Sequence, residues 1–375
     1  MDCCDVLIVG GGPAGSSCAW ALRGAGLDVA ILDRSTFPRD KVCGGWITLP
    51  VLRALSIDIR EYGRNRTLQP ISSFRVGAIG AQAVALDYSE PVSYGIRRSE
   101  FDYFLLDRSG ARRWEGESLN TLGRAGDGWI ANGRIQTRLV IGAGGHFCPV
   151  AKLIGAKSPG EAAVVAQEVE FEMNPSQQAA CRVEGKRPEL YFCADMKGYG
   201  WCFRKNNRLN IGLGRMDSHA LSSHVREFIA FLKSSGRVEF EVPPLHGHAY
   251  LLFGRSGRKT VGDGYLLIGD SAGLAYPQSG EGIWPAIQSG LLAADAIQAA
   301  NRTYGRQQLA EYSRLLENRF GKPQADWASA IGSHLPSGVI SAVARRLLRT
   351  EWFVRDVIIG RWFLNTPGSK AHAAG

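Results

Sequence analysis

Residues 5–10, Asp-Val-Leu-Ile-Val-Gly, form a short apolar run of the kind buried on both faces of a parallel sheet. It passes into Gly10-Gly11-Gly12-Pro13-Ala14-Gly15. The stretch from Ala14 to about Ala25 then reads as a helix, closed by Gly26 as a C-cap would close it. A second apolar run, Val29 to Leu32, reads as a strand and ends on Asp33. Far downstream, Tyr265 to Ile268 reads as another buried strand. Gly269-Asp270-Ser271-Ala272-Gly273 follows it, and a helix is expected from Pro285 to Ala300. In between, the pattern changes period. Tyr199, Trp201 and Phe203 alternate with Gly200, Cys202 and Arg204, as in a strand with one aromatic face. Residues 307–364 read as helices. Within them Val339 to Leu364 mixes Arg345, Arg346, Arg349, Arg355 and Arg361 with Trp352, Phe353, Trp362 and Phe363. The tail from Thr366 to Gly375 is expected to fray.

The first of these patterns carries chemistry. Strand, G-x-G-x-x-G, helix, second strand and terminal acid occur in the order that binds a dinucleotide. Gly10 permits the tight turn, Gly12 lets backbone approach a pyrophosphate, and Gly15 lets helix and strand pack closely. The helix start at Pro13 and Ala14 offers N–H groups and a positive dipole end. Asp33, with Arg34 beside it, stands where an acid accepts from the adenosine ribose. The competing reading is a Gly-rich turn of another α/β fold. Asp270 at the second strand end fits the ribityl chain of a flavin, or serves only as an N-cap. Two nucleotide-type elements so far apart favour the long FAD molecule over NAD.

Length and composition narrow the rest. At 375 residues the chain exceeds a single simple core, so two intertwined domains are expected. With 45% hydrophobic and 21% charged residues it can bury that core, which excludes wholesale disorder. A formal net charge of +9 fits a polyanionic partner, a membrane surface or an anionic ligand, and equally ordinary solubility charge. The Lys and Arg residues are dispersed, so no nucleic-acid partner is expected. The 8 cysteines form no C-x-x-C pair. No metal site is therefore expected, and they read as reduced thiols of a cytoplasmic protein. No signal peptide precedes the first strand, and no uncharged apolar run reaches bilayer length.

The sequence resembles the flavoprotein reductases and monooxygenases of the p-hydroxybenzoate hydroxylase fold, and within them the geranylgeranyl reductase branch, from its start to about residue 320. Phe37 to Gly45 resembles the loop that places a cysteine and glycines beside the flavin, which implies Cys43 and Gly44 at the cofactor. Tyr94 to Asp102 resembles the helix-opening segment whose arginine contacts the FAD phosphates, here Arg98. Ile141-Gly142-Ala143-Gly144 resembles the G-A-D-G stretch of aromatic hydroxylases, with Gly144 in place of the acid. Pro277 to Ile283 resembles the segment along the flavin pyrimidine, which implies Gly280, Gly282 and Ile283 there, beside Gly269 and Asp270. Tyr199-Gly200-Trp201-Cys202-Phe203, then Gly212-Leu213-Gly214, is similar to the Y-x-W-x-F-P and G-x-G signature of geranylgeranyl reductases. Arg204 replaces its proline, and Met196 a small residue or proline.

The resemblance implies an α/β architecture: a Rossmann-like FAD-binding domain with an interleaved β-sheet substrate domain and a C-terminal helical segment. The expected boundaries are 1–60, 95–155 and 256–306 for the first, 61–94 and 156–255 for the second, and 307–375 for the helices. It implies an FAD-dependent oxidoreductase that reduces carbon–carbon double bonds of an isoprenoid or other apolar small molecule. Cys43 is the candidate proton donor, or else a buried structural thiol. Tyr199, Trp201 and Phe203 are the candidate pocket wall, or else a plain core face. His146 lies near the cofactor stretch but reads as structural. The electron donor is NAD(P)H or a reduced carrier protein, since no second G-x-G-x-x-G exists. A flavin monooxygenase acting on a secondary metabolite is the rival enzyme, and a flavin-binding electron carrier or sensor the rival outside enzymology. No W-x-W-x-I-P halogenase motif is present. The basic C-terminal helix suits peripheral membrane contact, or packs on the protein's own surface.

Overall fold

A computed structural model describes residues 1–158, 161, 163–217, 220–321 and 337–364. The helical expectation for 322–336 and the expected frayed tail, Thr366 to Gly375, lie outside the described residues. The elements used below are, in chain order, β1 (Asp2–Val9), α1 (Pro13–Ala21), β2 (Val29–Asp33), α2 (Arg98–Arg108), β3 (Ile135–Gly142), β4 (Ala163–Glu172), β5 (Glu189–Phe192), β6 (Gly198–Lys205), β7 (Arg208–Arg215), β8 (Tyr265–Leu267), α3 (Ile283–Ala299), α4 (Arg306–Phe320), α5 (Ser337–Leu347) and a π-helical segment (Phe353–Phe363).

The chain divides into two compact units. The first comprises the described parts of 1–41, 99–163 and 250–324. The second comprises those of 42–98, 164–249 and 325–375. Residues 42–60, expected with the cofactor domain, thus group with the second unit, and the helix α4, expected with the C-terminal helices, groups with the first.

The first unit is built on an eight-stranded sheet with β1 at its centre, between β3 and β2. All three run parallel, and β8 extends the parallel row beyond β3. Val6, Leu7 and Ile8 of β1, Ile31 and Leu32 of β2, and Leu139, Val140 and Ile141 of β3 are buried. Such runs are apolar because helices cover both sheet faces. Helix α1 ends at Ala21, four residues before the expected end. Gly24 (φ +78°) and Gly26 (φ +68°) both adopt left-handed backbone, so the chain leaves the helix before Gly26. Helices α1 and α3 cross closely. A Cβ on Gly290 would lie 2.4 Å from the Ala14 carbonyl oxygen, and one on Gly15 would lie 2.0 Å from that of Gly10.

The second unit holds a seven-stranded sheet in the order His246–Leu251, β4, β7, β6, β5, Ser73–Ala78, Val84–Asp87. The pairs β4–β7, β6–β7 and β5–β6 are antiparallel. One face packs Leu209, Ile211, Leu213 and Cys202 against Phe228 and Leu232 of a long amphipathic helix. The opposite face carries Tyr199, Trp201, Phe203 and Lys205. The π-helical segment buries Val354, Ile358, Ile359 and Phe363. Its Phe363 ring stacks on Trp46 (centroids 5.2 Å apart) and meets Tyr199 edge-on at 5.6 Å. Of the two readings of this C-terminal stretch, packing on the protein itself is what 353–363 do. No helix among the described residues is long and apolar enough to cross a membrane.

The close α1–α3 approach makes a defined expectation. Gly290→Ala should destabilise the protein by about 1–3 kcal/mol, because the helices must part. Gly123→Ala, with nothing within 4 Å of the new methyl, should change stability by less than about 0.5 kcal/mol. Chemical denaturation of both variants checks the difference.

Candidate active site

In the first unit the sequence-predicted residues converge. Gly10 adopts φ +119°, and a Cβ there would sit 2.4 Å from the Ala143 carbonyl oxygen, so only glycine fits. Gly12 precedes Pro13 at the start of α1, where no side chain caps the helix. Asp33 does more than end β2. Its carboxylate accepts from Gly11 N–H (2.7 Å) and Ser35 N–H (2.8 Å), tying the glycine loop to the strand end. Arg34 next to it is exposed. Gly142 is paired in register with Val9, and Leu267, Cys148 and Val150 crowd the space a side chain would need. Gly269 faces Ala14, with 3.0 Å between a hypothetical Cβ and the Ala14 methyl carbon. Asp270 lies inside a 3-10 turn, Gly269–Ser271, capped by Ile268, so it is not the N-cap. Its Oδ1 is 3.3 Å from where a Cβ of Gly282 would be, and Gly282 with Ile283 opens α3. Gly280 (φ +68°) sits under the Tyr250 hydroxyl. Burial, then the Arg258 guanidinium, pushes the His146 imidazole below its ordinary pKa.

One residue here was missed by the sequence reading. The Arg39 guanidinium lies 3.5 Å from the position of a Cβ on Gly12 and pairs with the fully buried Asp102 at 3.2 Å. Its Nη1 is buried without a partner. A cation with an orphaned N–H beside an uncapped helix start and a glycine loop is a fitting cradle for a pyrophosphate. Only the pairing of Arg39 with Asp102, distant in sequence, makes it visible. The residues present therefore fit FAD.

The second unit assembles Cys43, Gly44, Arg98, Tyr199, Trp201 and Phe203. The strand register explains the aromatic–glycine signature. Trp201 pairs with Gly212, and Tyr199 with Gly214. A Cβ on Gly212 would lie 2.3 Å from Trp201 Cζ2 and 2.6 Å from the Cβ of Glu168 on β4. The indole thus lies across the strand, over the glycine, and both Trp201 and Phe203 are buried. A glycine flanked by aromatic cover recovers the packing its missing side chain forfeits.

The Cys43–Gly44–Gly45 loop is pinned to this face by hydrogen bonds. Trp201 Nε1 donates to Asn210 Oδ1 (2.7 Å), and Asn210 Nδ2 donates to the Cys43 carbonyl (3.2 Å). Lys205 Nζ donates to the carbonyls of Gly44 and Ile96, each at 3.0 Å, and pairs with Glu170. A Cβ on Gly44 would crowd the Phe203 ring at 3.2 Å. Gly45 needs its left-handed φ of +65° to pass under Ile96. The Cys43 N–H donates to the carboxyl of Glu168. Burial pushes that carboxyl up to about 8, with the Glu170 charge adding and Lys205 and Arg98 opposing.

A family model described as FAD dependent oxidoreductase matches residues 5–69. The chain is 29% identical over 349 residues to a menaquinone reductase from Mycobacterium tuberculosis, covering 86% of this chain and 81% of the relative. It is 27% identical over 341 residues to a digeranylgeranylglycerophospholipid reductase from Methanocaldococcus jannaschii, covering 84% and 82%. A geranylgeranyl bacteriochlorophyll reductase-like protein from Thermoplasma acidophilum shares the fold (TM-score 0.72, 20% identity, 93% of this chain and 88% of that one). With the glycine loop and its cation in place, the class is defined: this is an FAD-dependent oxidoreductase. Among such enzymes it is similar to the geranylgeranyl reductases.

Two outcomes are expected. Arg39→Lys keeps the charge but loses the fork that serves Asp102 and a phosphate together. FAD affinity of the reconstituted apoprotein should fall about tenfold with the fold intact, as read by flavin titration. Separately, a Glu168 pKa raised to about 8 in the fold, against about 4.3 unfolded, means the folded chain keeps a proton that the unfolded chain has lost. The resulting stabilisation is complete below the lower value and is lost as pH rises through the upper one. Wild type should lose thermal stability from about pH 5 to 8, and Glu168→Gln should lose less.

Proposed function

We propose that this enzyme reduces carbon–carbon double bonds in the prenyl chain of an apolar isoprenoid substrate. The observation that carries the reading is the Tyr199–Trp201–Phe203 face with the Cys43 loop pinned onto it. These are the residues by which the chain resembles geranylgeranyl reductases. The named activities of the menaquinone and digeranylgeranylglycerophospholipid reductases to which it is similar support the same class of substrate.

The chemistry that bound, reduced FAD supplies is two-electron reduction by a hydride equivalent. The chain's residues do the rest. Gly10, Gly12, Pro13, Ala14, Gly15 and Arg39 hold the pyrophosphate, Asp33 the ribose, and Gly269, Asp270, Gly280, Gly282 and Ile283 the ribityl and ring end. Gly142 keeps β1 and β3 close, and Arg98 takes the phosphate-directed role that the resemblance implies. Tyr199, Trp201 and Phe203 orient the prenyl chain and exclude water, which an unactivated alkene needs because it accepts hydride poorly. Cys43 presents the proton. The electron donor is NAD(P)H or a reduced carrier protein. The enzyme works in the cytoplasm and meets membranes peripherally through the exposed Trp352 (62% exposed) and Arg345, Arg346 and Arg349. This contact would give a lipid substrate a short path.

Steady-state turnover with prenylated lipids, followed by mass spectrometry, tests the reading. The product should gain two hydrogens per alkene consumed. Gain of an oxygen atom would make the enzyme a monooxygenase. Trp201→Ala should lower kcat/KM at least about tenfold, or ~1.4 kcal/mol of transition-state binding, with bound flavin unchanged.

A further inference from the structure

A buried carboxyl with no part in binding or orienting the substrate lies beside the Cys43 loop. Glu168 sits on β4 with only 2% of its surface exposed. It is paired through Gly212 with Trp201, and because Gly212 has no side chain, the carboxyl-bearing chain and the indole meet over it. The Cys43 N–H donates to the carboxyl. Oε2 is buried and has no hydrogen-bond partner.

The charged groups around it are already committed. Lys205 is 1% exposed and gives its protons to Gly44, Ile96 and Glu170. Glu170 is shared with Arg208 and Asn210. Arg98, like Lys205, favours the charged form, and burial outweighs both. A carboxylate buried with one backbone donor and no cation of its own is costly, so Glu168 is retained as a neutral carboxylic acid. With Oε2 making no hydrogen bond in the resting structure, the acidic proton is not committed to another protein group and can be handed on.

We propose that Glu168 is the proton reservoir of the Cys43 site, a relay residue that reloads the thiol after each reduction. This rests on the alkene-reductase reading. The carbon–carbon π bond breaks, and one carbon takes the hydride equivalent from reduced FAD. The other takes the proton of the Cys43 thiol, so that two C–H bonds replace the π bond. Glu168 returns a proton to the sulfur through a bridging water, becomes a carboxylate, and is reprotonated from solvent. Bound FAD would supply the two electrons of that hydride equivalent, and NAD(P)H or a reduced carrier protein would restore them.

The test uses the FAD-loaded enzyme and two readouts. Infrared difference spectra of wild type against Glu168→Gln follow the carbonyl band of a protonated carboxylic acid through a pH titration. The band should be present at neutral pH, fade with a midpoint near 8, and be absent in the variant. Turnover of a prenylated lipid across the same pH range gives the second readout. Wild-type kcat should fall above that midpoint. Glu168→Gln should lose this limb and about a hundredfold in kcat, with KM and bound flavin little changed. Glu168→Asp, which keeps the acid, should recover part of the rate. A wild-type enzyme with no protonated-acid band at neutral pH overturns the proposal, whatever its activity. So does a Glu168→Gln variant that keeps the wild-type rate and pH limb. If the band is present but wild type reduces no alkene, the reductase reading itself has failed and the relay falls with it.

Discussion

The indole of Trp201 can lie across its sheet only because Gly212 stands opposite it. Much of the second unit's chemistry follows from that contact. With the ring held flat, its Nε1 is aimed at Asn210, and Asn210 holds the Cys43 carbonyl. The Cys43–Gly44–Gly45 loop is then clamped at three points, by Asn210, Lys205 and Glu168. Placing Lys205 and two carboxyls under this loop is expensive in a nearly dry site, and the arrangement holds because the lysine and Glu170 neutralise one another. The cost is left on Glu168, which keeps its proton.

The first unit was legible because its signals are local. Strand, glycines, helix and terminal acid follow one another within 33 residues, and Gly10 and Gly15 stand where backbone crowding leaves no room for a side chain. The register of Tyr199, Trp201 and Phe203 was legible for the same reason: a period of two survives in the folded strand. The partners of those residues were not. Arg39 acquires meaning from Asp102, and Glu168 from Cys43 and Gly212, pairs separated by long stretches of chain that only the folded structure brings together. The break between units at 41/42 was hidden too. The Cys43 loop reads as an appendage of the ribose-binding strand in sequence, whereas its hydrogen bonds go to β6 and β7.

The C-terminal stretch shows how a correct pattern can carry the wrong period. Val354, Ile358, Ile359 and Phe363 recur every four to five residues, too widely for the 3.6 of an α-helix. The chain answers with π-helical turns that put all four inside. An amphipathic helix at α spacing would have turned one of them outward. The residues left outside, Trp352 and the arginines of α5, are those that gave the stretch its membrane-like character.

In the proposed reaction the alkene itself takes the electrons. The most direct measurement mixes fully reduced enzyme with a geranylgeranyl-bearing lipid in the absence of oxygen and follows the flavin absorbance. Oxidised flavin should return without oxygen, in proportion to the double bonds lost. Flavin that stays reduced with prenyl alkenes until oxygen is admitted, together with product carrying an added oxygen atom, would contradict it.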